Sequence, residues 1–316
     1  MTVAYLFPGQ GSQHVGMGRD FFDYSAAVRD IYAQADELLE VPISTICFDG
    51  PEERLTETLN QQPALFTTCY AMWRVAEETD WHPPTFIAGH SMGEVTALVV
   101  AGSISFADGL RLTRHRGQCM KMAGEQNPGG MAAVLGMDYE AVAAHCEAAT
   151  EATNLPVQVA NDNCPGQVVI SGNHTALDEA IKRVKADGVR RVVKLPITIA
   201  AHSALMAPAA ESFGEMVDEI EIKLPQIPVI SNVTALPLIS VTDIRAELKA
   251  QLTANVRWTE SIQYLLGQGV TTFVEIGPGD VLMKLMKRID RDAGRHSFTL
   301  DAVPSAQPVA PVTEDN

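Results

Sequence analysis

Short apolar runs alternate with longer amphipathic stretches along most of the chain. The first run, residues 3–7, is stopped by Pro8 and Gly9, which is typical of a buried strand that ends in a loop. This alternation predicts a largely parallel sheet covered by helices on both faces. The predicted strands are 3–7, 85–88, 228–231 and 271–276, and the predicted helices are 19–39, 63–78, 94–101, 106–123, 203–217, 244–252, 259–266 and 281–289.

The pattern changes between residues 129 and 196, where short elements follow one another in the order βαββαβ. This order is that of the split-βαβ, or ferredoxin-like, unit. We therefore predict an α/β chain in which residues 1–128 and 197–300 form a large subdomain and residues 129–196 form an inserted small one, with a hinge at 127–130. Residues 301–316 lack periodicity and are predicted to be a disordered tail. The elements of the insert are predicted at 131–135, 139–149, 157–160, 167–171, 175–186 and 191–195.

The balance of charges excludes some classes of binding partner, and the cysteines indicate the compartment. Lys and Arg number 23 against 39 Asp and Glu, so the formal net charge is −16. Because clustered cations are needed to bind phosphate groups, we expect binding neither to nucleic acid nor to anionic membrane surfaces. The sequence has no apolar run of about 18 residues and no pattern of a signal peptide. The five cysteines are scattered without metal-site spacing, so we expect a cytoplasmic protein with free thiols and no bound metal.

Residues 89–93 read G-H-S-M-G, a G-x-S-x-G pattern with a predicted strand before it and a predicted helix after it. A sharp strand-to-helix turn leaves little space beside the serine, which explains the flanking glycines. The turn would expose the Ser91 hydroxyl, and the N–H of Met92 at the start of the helix could bind an oxyanion. We therefore predict that Ser91 is a nucleophile. The alternative is a glycine-bracketed turn with a surface serine.

A serine nucleophile needs a base, and His202 is the best placed of the eight histidines. It lies where the chain returns from the insert to the large subdomain. A helix-capping role for His202 is an equal alternative. No Asp stands out as a third triad member. The loop after the first strand could bring the N–H of Gln10 to the oxyanion, or could be an ordinary connection. Arg116 could point inward, where its guanidinium would need a carboxylate, or could belong to a solvated helix face.

Seven segments with distinctive residues follow one another along the chain: 8–13 (PGQGSQ), 89–94 (GHSMGE), 116–120 (RGQCM), 161–169 (NDNCPGQVV), 202–206 (HSALM), 228–232 (PVISN) and 275–279 (EIGPG). In this order they resemble the malonyl-CoA:acyl carrier protein transacylases and the free-standing acyltransferases of polyketide synthases. The resemblance spans residues 3–300 and implies a hydrolase-like large subdomain with a ferredoxin-like insert, in agreement with the pattern above.

The resemblance implies a role for each candidate residue. Ser91 matches the nucleophile and His202 its base. Gln10 and Met92 match the residues whose backbone N–H groups bind the oxyanion. Arg116 matches the arginine that binds the carboxylate of the malonyl group.

Two glutamines complete the implied site. Gln251 matches the glutamine whose backbone carbonyl orients the histidine, which would explain the missing Asp, and Gln62 matches a glutamine that lines the acyl pocket. The implied reaction is ping-pong transfer of a malonyl group from malonyl-CoA, through a malonyl-Ser91 ester, to the phosphopantetheine thiol of acyl carrier protein in fatty-acid biosynthesis. The CoA thioester enters as a substrate, and no permanently bound cofactor is implied.

The carrier proteins of this family are acidic, so an acidic enzyme should offer them a local basic patch. Residues 182–194 contain six cations and one acidic residue, Asp187, and we predict that the carrier docks there. The alternative is an ordinary solvated helix and strand edge. We call these residues the basic patch: Lys182, Arg183, Lys185, Arg190, Arg191 and Lys194.

Other functions stay open at this point. A trans-acting polyketide acyltransferase would use the same chemistry with another carrier. A serine thioesterase or esterase would share the elbow, but Arg116 and the missing Asp disfavour it. A non-catalytic interaction subunit is disfavoured because Ser91, His202 and Arg116 are all present. Ala201 departs from the larger residue usual in the family, and its small side chain predicts tolerance of methylmalonyl groups.

Overall fold

The computed structural model describes residues 2–79 and 81–303. Its strands form two separate sheets. One sheet is built from strands that precede and follow the insert, and the other from strands within the insert. The strands are β1 (Val3–Phe7), β2 (Phe86–Gly89), β3 (Gly129–Leu135), β4 (Val157–Cys164), β5 (Gln167–Asn173), β6 (Arg191–Lys194), β7 (Val229–Ile230), β8 (Thr272–Glu275) and β9 (Gly294–Ser297).

The larger sheet is parallel throughout and has the strand order β7-β2-β1-β8-β9. In the central strand β1, Leu6 lies between Ala88 of β2 and Glu275 of β8. Odd and even residues of β1 enter different hydrophobic clusters, so both faces of the sheet are buried. This confirms the prediction of a parallel sheet covered on both sides.

Helices cover the two faces of this sheet and one face of the smaller one. Among the described residues, no helix is both long and apolar enough to cross a bilayer. The helices are α1 (Arg19–Tyr24), α2 (Ala26–Leu39), α3 (Ile43–Asp49), α4 (Glu52–Thr56), α5 (Thr58–Glu78), α6 (Gly93–Val100), α7 (Phe106–Gln126), α8 (Tyr139–Thr153), α9 (His174–Ala186), α10 (Ala207–Glu219), α11 (Val241–Ala250), α12 (Trp258–Gly267) and α13 (Val281–Ile289), with 3-10 turns at Ala204–Met206 and Leu300–Ala302.

The smaller sheet is antiparallel, with the order β4-β5-β3-β6, and α8 and α9 pack against it in a hydrophobic cluster of their own. This confirms the α/β fold with a ferredoxin-like insert. Its strands lie between residues 129 and 194, within the range predicted for the small subdomain. The predicted hinge is shorter than expected, because α7 ends at Gln126 and Gly129 already pairs with Asn173 in the sheet.

The end of β4 joins the insert to the large subdomain. β4 extends to Cys164, beyond the predicted end at residue 160. Its extension forms a parallel bridge in which the N–H of Asp162 donates to the carbonyl of Val256 (2.9 Å) and the N–H of Val256 donates to the carbonyl of Ala160 (2.8 Å). Backbone hydrogen bonds therefore join the smaller sheet to the segment of the large subdomain that precedes α12.

Several elements were not predicted. The short helices α3 and α4 have too few residues to establish a helical period, and the edge strand β9 reads G-R-H-S, without an apolar run. Residues 304–316 of the predicted tail lie outside the described part of the chain. Residues 301 and 302 belong to the final 3-10 turn, and Val303 is buried.

Helix α5 starts at Thr58, whereas the sequence pattern predicts a start at Pro63. Pro63 has no N–H to donate to the carbonyl of Leu59, and the Arg114 guanidinium of α7 donates to that carbonyl instead (2.7 Å). One turn further along α7, a Cβ at Gly117 would lie 2.5 Å from the carbonyl oxygen of Thr58. The missing side chain therefore lets α7 approach α5 closely, next to Arg116.

We predict that Gly117→Ala lowers the free energy of unfolding by about 2 kcal/mol, since the added methyl forces the two helices apart. Urea unfolding followed by circular dichroism measures this change. The matched control is Gly214→Ala in α10, where the nearest atoms are a flexible lysine chain 3.4 Å away and the helix should gain stability. Equal effects of the two substitutions would contradict the packing argument.

Candidate active site

The predicted elbow is a tight turn between β2 and α6, pressed against the end of β1. A Cβ on Gly89 would collide with the backbone of Gly93, and a Cβ on Gly93 would collide with the carbonyl of Phe7. Ser91 between them has φ +53°, a left-handed conformation that is uncommon for a side chain with a Cβ. Both glycines are therefore required by close backbone contacts, and the serine is held in a strained geometry.

The structure brings Ser91 and His202 together across the chain. The Ser91 hydroxyl donates to Nε2 of His202 at 2.7 Å. Nδ1 of His202 in turn donates to the backbone carbonyls of Gln251 (2.8 Å) and Ala254 (3.1 Å). Because Nδ1 carries the proton, Nε2 is free to accept one from the serine. Two backbone carbonyls thus take the place of the acidic triad member that the sequence lacks.

His202 is buried and uncharged. Burial, together with the positive charge of Arg116, lowers the pKa of His202 to about 3. The imidazole is therefore in its proton-accepting form throughout the neutral and mildly acidic range. His202 also has a left-handed backbone, with φ +55°.

Arg116 points inward from α7 and lies fully within this cluster. Its Nη2 donates to the Ser91 hydroxyl oxygen (3.1 Å) and to the side-chain carbonyl of Gln251 (3.0 Å). Its Nη1 donates to the side-chain carbonyl of Gln62 (3.0 Å) and contacts the sulfur of Met120 (3.3 Å). The solvated-face alternative for Arg116 is therefore wrong.

The acceptors around this guanidinium are all neutral. Burial lowers the pKa of Arg116 to about 10, so it keeps its positive charge at neutral pH. No ion pair in the described part of the chain includes Arg116, and its Nε has no hydrogen-bond partner there. A buried cation without a carboxylate, 3.1 Å from the serine oxygen, is a binding position for an anionic group next to that serine.

A cleft of about 410 Å³ opens between the two subdomains at this point. Gln10, Ser91, Arg116 and His202 all line it, whereas Met92 is buried at the start of α6. Gln62 and Gln251 contact Arg116 from behind the cleft. The opposite wall comes from the insert and the segment after it and includes Met131, Asn161, Asn163, Val169, Leu195, Pro196, Ile197 and Ala201.

Sequence reasoning missed the residues that hold the elbow from behind. The Asn232 side chain accepts from the N–H of Ser91 (2.7 Å) and donates to the carbonyl of Gly89 (2.7 Å). The Glu94 carboxyl accepts from the N–H of Asn232 (2.8 Å). Both residues end segments that the sequence analysis had singled out, 228–232 and 89–94, but only the fold brings these two segments together.

The basic patch on α9 and β6 is less uniformly basic than its sequence suggests. Lys182 and Arg183 both pair with Glu179, and Lys194 pairs with Asp178. Arg190 and Arg191 are exposed, and the salt bridges of the described chain do not include them. Lys185 is likewise exposed and outside these salt bridges, so the unpaired cations of the patch are Lys185, Arg190 and Arg191. From the two arginines, β6 leads to the cleft wall at 195–197.

Fold and site together define an α/β acyltransferase with a serine at a strand-to-helix elbow. Residues 4–308 match the acyl transferase domain, and the chain belongs to that family. It is 46% identical over 289 residues to the malonyl CoA-acyl carrier protein transacylase of Bacillus subtilis, covering 92% of this chain and 90% of that protein. It is 41% identical over 286 residues to the protein of that name in Escherichia coli strain K12, covering 90% of this chain and 92% of that protein.

Solved structures agree with this assignment. The malonyl CoA-acyl carrier protein transacylase of Coxiella burnetii superposes with a TM-score of 0.93 at 36% identity, covering 96% of each chain. A malonyl-transacylase in complex with its type II polyketide acyl carrier protein superposes with a TM-score of 0.92 at 37% identity, covering 96% of this chain and 98% of that one. The family resemblance found in the sequence is confirmed.

We predict that Ser91 stays reactive in mild acid, because the lowered pKa of His202 keeps its Nε2 unprotonated. The rate of Ser91 sulfonylation by phenylmethylsulfonyl fluoride, followed by intact mass, should change by less than about threefold between pH 7 and pH 5. A base with an ordinary histidine pKa would lose about 30-fold over this range. Ser91→Ala, which should form no adduct, is the control, and a loss of the size expected for an ordinary histidine would contradict the prediction.

Proposed function

We propose that this enzyme transfers a malonyl group from malonyl-CoA to the phosphopantetheine thiol of an acyl carrier protein, through a malonyl-Ser91 ester. The observation that carries the proposal is the buried Arg116 guanidinium, which lacks a protein carboxylate and lies 3.1 Å from the Ser91 oxygen. In a malonyl thioester the carboxylate is one carbon away from the reacting carbonyl. Arg116 can therefore bind the carboxylate while Ser91 attacks the carbonyl, and the names of the relatives agree with this substrate.

In the first half-reaction, Nε2 of His202 takes the proton from the Ser91 hydroxyl, and the serine oxygen attacks the thioester carbonyl. The proposed donors to the resulting oxyanion are the N–H groups of Met92 and Gln10. The N–H groups of residues 93–95 are bonded to the carbonyls of residues 90–92, which leaves that of Met92 as the first donor of the helix. The tetrahedral intermediate then expels CoA, whose sulfur receives the proton from His202, and the malonyl-Ser91 ester remains.

The second half-reaction runs the same chemistry in the opposite direction. His202 takes the proton from the carrier's phosphopantetheine thiol, and the sulfur attacks the ester carbonyl. Collapse of the intermediate breaks the bond to Ser91, whose oxygen regains the proton from His202. The CoA thioester is a substrate in this scheme, and no bound cofactor takes part.

The roles of the two glutamines follow from their contacts with the proposed substrate arginine. Gln62 and Gln251 both accept from the guanidinium, and Gln251 also orients His202 through its backbone carbonyl. Neutral acceptors orient the arginine without cancelling its charge, which remains available to the malonyl carboxylate. The planar, bidentate match between guanidinium and carboxylate is one that a lysine does not reproduce.

We place the reaction in fatty-acid biosynthesis in the cytoplasm, as the resemblance implies. Five buried cysteines, all free, agree with a reducing compartment. A trans-acting polyketide acyltransferase would use the same site, and parallel assays with a fatty-acid carrier and a polyketide carrier distinguish the two. Rapid hydrolysis of the acyl-enzyme without a carrier would instead favour the thioesterase alternative.

Intact mass after incubation with malonyl-CoA tests the proposal. We expect a stable malonyl adduct on the wild type and none on Ser91→Ala. Arg116→Ala should lose the malonyl adduct but accept acetyl-CoA better than the wild type does, because its pocket no longer holds an unpaired cation. Arg116→Lys is the matched control and should recover little malonyl transfer. Unchanged malonyl transfer by Arg116→Ala would contradict the assignment.

We propose that the carrier docks on the basic patch, through Arg190 and Arg191 in particular, with Lys182 and Arg183 partly neutralised by Glu179. The acidic net charge of −16 makes such a local positive surface necessary for an acidic partner.

Replacing both Arg190 and Arg191 with Glu should raise the KM for the carrier roughly tenfold, since it reverses the charge that attracts an acidic partner. Self-acylation by malonyl-CoA should stay unchanged. A double variant of Lys223→Glu and Lys249→Glu makes the same change of net charge on the large subdomain and serves as the control. An equal effect on both half-reactions would exclude the patch as the docking surface.

A further inference from the structure

Glu94 is a fully buried carboxyl group that the proposed reaction does not use. It lies in the first turn of α6, three residues after Ser91. One of its oxygens accepts from the backbone N–H (2.8 Å) and the side-chain amide (3.2 Å) of Asn232. The other accepts from the side-chain amide of Gln251. Glu94 therefore joins the back of the elbow to the glutamine that contacts Arg116.

The side-chain amide of Gln251 has only one orientation that satisfies its neighbours. On one side, its NH₂ group donates to the backbone carbonyl of Ser91 (3.0 Å) and to Glu94. On the other side, its carbonyl accepts from Nη2 of Arg116 (3.0 Å). A backbone carbonyl can only accept and a guanidinium can only donate. A flipped amide would therefore place its carbonyl against the Ser91 carbonyl and its NH₂ group against the Arg116 guanidinium.

Glu94 also has an acidic neighbour, Glu247 of α11, which is buried as well. Glu247 accepts from the Ser231 hydroxyl and from the N–H of Val233 (3.0 Å). Burial, reinforced by the charge of Glu247, raises the pKa of Glu94 well above its usual range. Burial raises the pKa of Glu247 as well, so a negative charge on either carboxyl group disfavours a negative charge on the other.

The amide of Gln251 separates this acidic pair from Arg116. If a carboxylate touched the guanidinium directly, it would form the ion pair that the substrate carboxylate is proposed to form. A neutral amide between the two transmits orientation without neutralising the arginine. The arrangement thus explains how a buried cation is fixed in place and still lacks a charged partner.

We propose that Glu94 is a positioning residue: by fixing the side-chain amide of Gln251 in its donor-toward-Ser91 orientation, it aligns Arg116 for the carboxylate of the acyl group. This inference rests on the proposed malonyl transfer. It assigns Glu94 a role in selecting carboxylated acyl groups, in addition to its place in the core.

The test compares Glu94→Gln with Glu247→Gln. Glu94→Gln keeps the shape and leaves the Glu247 carboxyl in place, but it turns an NH₂ group toward the amide of Gln251. Glu247→Gln removes the neighbouring carboxyl group and leaves the acceptor for Gln251 intact. Acylation of Ser91 is measured with malonyl-CoA and acetyl-CoA, and the thermal midpoint of each variant is recorded.

We expect Glu94→Gln to raise the KM for malonyl-CoA about tenfold, the effect of losing one hydrogen bond in a charged network, with little change in kcat. Its kcat/KM for acetyl-CoA should fall by less than about twofold, and Glu247→Gln should keep the wild-type preference for malonyl groups. Should Glu94→Gln fail to fold, Glu94→Asp takes its place, because its shorter carboxyl cannot hold both Asn232 and Gln251. The same loss of malonyl preference is expected.

Three results would overturn the inference. A wild-type malonyl preference in Glu94→Gln would mean that Gln251 needs no help from Glu94. Equal losses with both acyl donors, together with a lower thermal midpoint, would mean a purely structural role. Equal behaviour of Glu94→Gln and Glu247→Gln would mean that charge matters and orientation does not. These outcomes are distinct from failure of the proposed function, in which the wild type itself forms no malonyl adduct.

Discussion

A single positive charge, that of Arg116, is buried beside the serine without a carboxylate to neutralise it. Removing a guanidinium from water costs several kcal/mol, and proteins usually recover that cost with a buried ion pair. Here the recovery comes from the carbonyls of Gln62 and Gln251, the sulfur of Met120 and the serine hydroxyl. The charge is stabilised enough to persist and is left available for the carboxylate that the substrate is proposed to carry.

The same charge also influences the base. The Arg116 charge lies near His202 and, together with burial, keeps the imidazole uncharged. Arg116 and His202 are therefore not both cations at neutral pH. An aspartate at Nδ1 would act in the opposite direction and raise the pKa of the histidine. Two backbone carbonyls orient the ring without adding a charge to the site.

Two strained residues, Ser91 and His202, meet at the proposed reaction centre, and different parts of the fold hold them. Ser91 is forced into a left-handed conformation by the packing of the elbow against β1, and Asn232 holds its N–H. His202 is held from the insert, where the Gln158 side chain donates to its carbonyl (3.1 Å). The strand that carries Gln158, β4, is itself bridged to Val256 in the large subdomain. The 2.7 Å contact between serine and histidine thus depends on both subdomains being joined.

The sequence by itself determined the features whose cause is local. The strand pattern predicted both sheets apart from the edge strand β9, and G-x-S-x-G predicted the elbow, because only glycine tolerates the backbone contacts at residues 89 and 93. The tertiary structure decided the rest. The acceptors for His202 are backbone carbonyls, which every residue type possesses, so no side-chain pattern marks them. The inward direction of Arg116, the meeting of Glu94 with Gln251 and the pairing of Lys194 with Asp178 depend on distances between segments far apart in the chain, which are set only when the helices and strands pack.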